Sequence, residues 1–376
     1  MFYISKITPL FFILAFINLF LSLYLKAKTG NFIYYGQIAV FGFILNTIIG
    51  AFYQVIPNSQ QQRLSLEWIE KIVFIIGVLY SVYIALGNFN IAYFFIASQV
   101  LIFSFHILSV VKNLKPLTVK YLTASIVFMI LSSIFLFLSL KTDNLSIQVA
   151  LHTFTVGAMI NAILGVQTAW IPMIYMQTLG KTKTGQIVIN SLFYIHQIVV
   201  VGIILSFFIR DYKFIASFAL FELIVILLFL KFVFYDSIKP QIKLHGIPYV
   251  IKFFITGHIF LVIGLILAHI VGVSGRFILI PYHIYFMVYG FGLFTIIGGM
   301  LHLTPRIIFS MKQNKKGIPL SRKKFENLYK IILISYVAFI ILDIAGYLVF
   351  GVIVFSLVLL FAFLSSLIDF LKLYKT

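Results

Sequence analysis

Apolar runs follow one another along almost the whole chain, broken only by short polar or glycine-containing stretches. A helix needs about 20 residues to cross a bilayer. Runs of that length fall near 7–26, 33–56, 69–87, 90–111, 119–140, 147–172, 184–209, 213–235, 248–273, 278–305, 325–347 and 349–371. The pattern predicts an all-α polytopic membrane bundle of about twelve transmembrane helices forming a single domain over 1–376. The glycines around 346–351 leave two readings of the last pair, either two full spans or a re-entrant hairpin. The first run has no small-residue cleavage site and leads straight into Lys26 and Lys28, which reads as an anchor.

Within this pattern one motif recurs every fourth run. The second reads QIAVFGFILNTIIGAFYQVIP over 37–57, and the sixth HTFTVGAMINAILGVQTAWIP over 152–172. The tenth reads YFMVYGFGLFTIIGGMLHLTP over 285–305. All three obey G-x7-G-x6-P, with the pairs Gly42 and Gly50, Gly157 and Gly165, and Gly290 and Gly298. Gln37, His152 and Tyr285 stand at the same register. Such regularity predicts three four-helix arcs, roughly 1–111, 119–235 and 248–371. Each glycine pair lies a little over two turns apart, where the absence of side chains admits a neighbouring backbone or a flat cofactor.

Composition narrows the picture. Of the 376 residues 62% are hydrophobic and only 10% charged, with 43 Phe and no Cys. Soluble domains carry about 25% charged residues, so a soluble enzyme is excluded. Without cysteine there is no disulfide and no thiolate metal site, which leaves His, Tyr, Met and carboxylates as metal ligands. The net charge of +19 does not point to nucleic acid, because the basic residues lie between apolar runs. Lys26, Lys28, Lys141, Arg210, Lys213 and Arg276 fall on one side and the remaining Lys and Arg on the side of both termini. The positive-inside rule then places the termini in the cytoplasm of an inner (cytoplasmic) membrane protein. The densest basic loop, 306–324, with Lys315, Lys316, Arg322, Lys323 and Lys324, reads as a topology signal against anionic lipid. No P-loop, dinucleotide fingerprint or H-E-x-x-H motif occurs, so any chemistry lies within the bilayer.

Ionisable residues inside the spans are the candidates for it. His152, singled out by the repeat register, reads as a metal ligand or as a His bonding across helices. His196 in the next span completes an imidazole pair with it if the two helices are neighbours. His258 and His269 share a face of the ninth span, and His269 falls near the level of His283, which would make a bis-His site. Glu222 and Asp343 are candidate proton-path groups, or protonated carboxyls bonded to a neighbouring helix. His106, His245 and His302 receive no role.

The segment HTFTVGAMINAILG resembles the corresponding helix of the NnrS family, and Gly42-Phe43 through Gly50 to Pro57-Asn58 resembles that family's second helix, without its tryptophan. More broadly the topology is similar to subunit I of haem–copper oxidases and nitric oxide reductases. That resemblance implies haem and copper as cofactors. His152 and His196 match copper-type positions and His283 the high-spin haem position. Gln37 and Tyr285 stand where the family has low-spin haem ligands, so an electron-relay haem is not implied. The resemblance further implies a metal site in the outer half of the bundle that binds a diatomic gas, on an oxidoreductase-related scaffold connected with nitric oxide or respiratory metabolism, with the lipid bilayer as surroundings and any partner subunit undefined. The reading from a different class is a cofactor-free transporter or structural subunit on the same scaffold.

Overall fold

The computed structural model describes residues 3–140, 147–180, 182–239, 246–312 and 322–375. Lys141, His245, Lys315 and Lys316 lie outside them. Among the described residues twelve helices are long and apolar enough to cross a membrane. They are α1 (Thr8–Thr29), α2 (Phe32–Gln60), α3 (Trp68–Ala85), α4 (Phe89–Leu108), α5 (Leu117–Leu138), α6 (Ile147–Tyr175), α7 (Lys183–Phe208), α8 (Tyr212–Ile238), α9 (Tyr249–Ser274), α10 (Phe277–Ile308), α11 (Lys323–Ile344) and α12 (Leu348–Lys372). No strand occurs among the described residues, and the chain is an integral membrane protein.

Polar residues between the runs set the helix ends. Asn31, Asn88, Thr182 and Asp211 each accept backbone N–H groups at the starts of α2, α4, α7 and α8, which satisfies donors the helix cannot. Gly30 and Gly275 close α1 and α9 in the left-handed conformation, donating to the carbonyls of Lys26 and Val271. The last pair consists of two full helices, turned at Gly346, not a re-entrant hairpin. The expected basic loop 306–324 is shorter, because the helix of α10 continues to Lys312 and that of α11 begins at Arg322.

Spans α2, α6 and α10 form an inner ring, 94%, 72% and 83% buried against 28–61% for the other nine. They meet on a common axis. A Cβ on Gly292 would sit 3.3 Å from Ile44 and 3.5 Å from Met159, while Phe41 and Phe154 pack edge-on with centroids 5.3 Å apart. The axis is therefore filled by side chains.

The repeat glycines explain how the inner ring is held. A Cβ on Gly42, Gly157 or Gly290 would meet Asn18, Phe128 or Phe260 at 2.6, 2.5 or 2.8 Å. One on Gly50, Gly165 or Gly298 would meet Phe11, Tyr121 or Phe253 at 2.7, 2.8 or 2.9 Å. Those partners lie seven residues apart on α1, α5 and α9, so each arc repeats the same contact with the helix that precedes its inner span. The glycines serve helix–helix packing, not a flat cofactor.

A second feature shares the register. The N–H groups of Leu45, Ile160 and Leu293 bond to the carbonyls of Val40, Thr155 and Val288, each five residues back, making one wide π-type turn per inner span. Asn46 and Asn161 donate to the carbonyls of Gly42 and Gly157 at 2.7 and 2.6 Å, and Thr295 to that of Phe291 at 2.6 Å. Each of these is a side-chain bond back to the carbonyl one turn earlier, made just beyond the wide turn. The wide turns bend no span into separate halves, so the broken helices expected of many transporters are not seen among the described residues.

On the side of the termini, residues before α1 are clasped by α2 and α3. Ser5 donates to Glu70 Oε2 at 2.6 Å, the Tyr3 hydroxyl donates to Glu70 Oε1, and Gln54 donates to the Tyr3 carbonyl at 2.7 Å.

Candidate functional site

Five residues before the first glycine of each motif stand Gln37, His152 and Tyr285, at the start of the wide turns. The fold turns these equivalent positions toward three different chemistries. In the first arc Tyr93 of α4 donates to Gln37 Oε1 at 2.6 Å, a neutral pair that satisfies itself.

In the second, His152 faces His283 of α10, with ring centroids 6.5 Å apart and planes 11° from parallel. Each Nδ1 lies at a backbone carbonyl, Gln148 O at 2.8 Å and Gly264 O at 2.9 Å. A carbonyl only accepts, so both imidazoles are Nδ1–H tautomers with the lone pair on Nε2. Phe207 of α7 stacks on His152 at 3.9 Å and restricts its ring orientation.

In the third, Tyr285 and Phe339 of α11 enclose the ammonium of Lys26, at 4.2 and 4.4 Å from the ring centroids. Asp343 lies 3.9 Å from Lys26 Nζ. Lys26 is 1% exposed and its Nζ has no hydrogen-bond partner among the described residues. The charge is therefore held by one carboxylate and two aromatic faces.

The expected pairing of His152 with His196 is corrected. Phe207, which stacks on His152, lies eleven residues beyond His196 on α7, a rise of roughly 16 Å. His196 instead places Nδ1 2.9 and 3.0 Å from the two oxygens of Glu222, both residues being fully buried. Glu222 is thus half of a buried His–carboxylate pair between α7 and α8. The expected bis-His site of His269 with His283 is likewise not formed. His269 donates to Ala216 O of α8 at 3.0 Å, whereas His283 turns to Gly264 of α9. Tyr285 belongs to the Lys26 cage, and Asp343 is the partner of that cation. His258 donates to Phe254 O at 2.9 Å within its own helix. His106 donates to Ser65 O at 2.6 Å, and His302 packs on Trp170 at 4.8 Å. Among the described residues no three His, Cys, Asp or Glu side chains converge on one point.

Sequence reasoning missed the role of Lys26, read as a topology charge at the end of the first span. Its signal was present, because Asn18, Ser22 and Lys26 recur every fourth residue and form a polar stripe on an otherwise apolar helix.

No protein-family model matches the chain. An uncharacterized protein of Aquifex aeolicus (strain VF5) is 40% identical over 324 residues, covering 85% of this chain and 83% of its own length. The chain belongs to the same family as that protein.

Proposed function

We propose that this membrane protein binds a metal centre, haem iron or copper, through His152 and His283, on a scaffold related to NnrS proteins and haem–copper oxidases and with a role in nitric oxide or respiratory metabolism. The termini face the cytoplasm in this reading. The observation that carries it is the imidazole pair. Metal-ligating His residues commonly donate their second ring nitrogen to a carbonyl, which orients the ring and raises its basicity, and both rings are held so. Two metal–nitrogen bonds of about 2.0 Å place the centroids of opposed imidazoles roughly 6 Å apart, close to the 6.5 Å observed.

Two donors suit a haem, whose macrocycle supplies the other four ligands, or copper(I), which accepts few; they do not suit a structural zinc, which takes four. When bound, such a centre supplies one-electron chemistry. The chain's own contribution is to orient both imidazoles through Gln148 O and Gly264 O, with each Nε2 left to a metal, and to shield one of them with Phe207. His196, His269 and Tyr285 take no part.

The test is an oxidised and dithionite-reduced optical spectrum with iron and copper analysis, on detergent-purified protein expressed with haem and copper supplied. Near-stoichiometric metal is expected in wild type and in His196→Ala, and loss of it in His152→Ala and His283→Ala. A folded, colourless and metal-free wild-type protein would overturn the proposal.

A further inference from the structure

Below the Lys26 cage, on the side of the termini, α1, α10, α11 and α12 enclose a cavity of about 480 Å³. That volume lies in the range of about 300–1,000 Å³ usual for small-molecule sites. Its polarity is graded along the membrane normal. Among the described residues that line it, only Lys6, Thr304 and Ser366 are polar, and all three lie near the helix ends on the terminal side. From there inward the walls are apolar, with Phe16 and Phe363 stacked at 4.8 Å across α1 and α12 and Leu359 and Ile297 lining the deeper part. Lys6 and Phe16 are ten residues apart, a depth of roughly 15 Å, or half of the roughly 30 Å hydrocarbon core.

The cavity thus has the depth of one leaflet and a cation at the level of its headgroups. None of the carboxylates near this rim is in an ion pair with Lys6 among the described residues: Glu70, whose partners adjoin it in the chain, is taken up by the hydroxyls of Ser5 and Tyr3. Asp369 is held by Lys324 at 2.6 Å and Glu326 by Lys252 at 3.6 Å. We infer that this cavity is a binding site for an anionic phospholipid of the leaflet on the terminal side, with an acyl chain between α1 and α12 and its phosphate at Lys6. A lipid seated there bridges the first and last helices, where the ring of spans closes. The inference is independent of the metal centre.

Native mass spectrometry of the full chain released from mild detergent, with phosphatidylglycerol or phosphatidylcholine added, tests it. Wild type is expected to retain one phosphatidylglycerol, favoured over phosphatidylcholine about fivefold, the size of one lysine's attraction to an anionic headgroup. Ala362→Trp fills the cavity and should reduce retention at least tenfold, and Leu301→Trp does the same from the opposite wall should the first variant not fold. Lys6→Glu keeps the cavity and should abolish the anionic preference. Retention at the wild-type level in a folded Trp variant, equal retention of both lipids by wild type, or a neutral resident molecule such as a quinone would each overturn the inference.

Discussion

Lys26 and Asp343 join the first span to the eleventh, and their unequal burial makes a directional prediction. At 3.9 Å an effective dielectric of about 20 gives an attraction of about 4 kcal/mol. Lys26 is 1% exposed at the side chain and Asp343 14%, so the cost of losing each partner differs. Asp343→Asn leaves an ammonium with only the faces of Tyr285 and Phe339, and breaking a buried pair in this way costs about 3–5 kcal/mol; partial hydration through the Asp343 side places the expectation at about 3 kcal/mol. Lys26→Met leaves the partly exposed carboxylate to water and seats a thioether against the same two rings, for an expected loss of at most about 1 kcal/mol. The double variant should match Lys26→Met within about 0.5 kcal/mol. The chain has no cysteine and two tryptophans, so the assay is reversible SDS unfolding in mixed micelles, followed by tryptophan fluorescence and circular dichroism. Trp170, packed on His302 and Phe254, reports on the inner ring. Equal losses in the two single variants, or a larger loss from Lys26→Met, would refute the idea that the cation is the buried and dependent partner.

Three further outcomes are expected. Gly157→Ala and Gly290→Ala should each lose about 1–3 kcal/mol through overpacking against Phe128 and Phe260, while Gly36→Ala, whose new Cβ would meet nothing within 4 Å, should stay within about 0.5 kcal/mol in the same titration. His269→Ala and Tyr285→Phe should keep any metal and spectrum of the wild type, because neither side chain reaches the His152–His283 pair; loss of the spectrum in His269→Ala would contradict the geometry. The Tyr3 hydroxyl is pushed above its ordinary value of 10.0, first by burial and then by its bond to Glu70. Folding therefore favours the protonated phenol, so its stabilisation is full below pH 10 and declines as pH rises beyond it. The stability gap between wild type and Tyr3→Phe should close above pH 10, and a gap that widens there would show the sign to be wrong.

Some of the site was legible in the chain and some was not, for definite reasons. His152 and His283 stand out in sequence because a bilayer makes any ionisable residue in an apolar run conspicuous. Their pairing does not, because short connections suggest that α6 meets α7, whereas the inner spans α2, α6 and α10 meet across arcs. His196 and Glu222, 26 residues apart on consecutive spans, became a pair only once rotation and depth were set by packing. The wide turns are almost silent in sequence, with the Gly-x3-Asn spacing of Gly42 to Asn46 and Gly157 to Asn161 as their only trace.

The amino-acid sequence alone determined that this is a twelve-span helical membrane protein with a motif repeated every fourth helix. The hydrocarbon core dictates span length and forbids unpaired backbone, and both demands are written in linear order. Tertiary structure decided which polar groups share a compartment: an imidazole pair, a buried His–carboxylate pair, and a lysine caged by aromatic rings. A polar residue's partner depends on helix rotation and on axial offsets of one to three turns, and these follow from glycine contacts with α1, α5 and α9 that involve residues far apart in the chain.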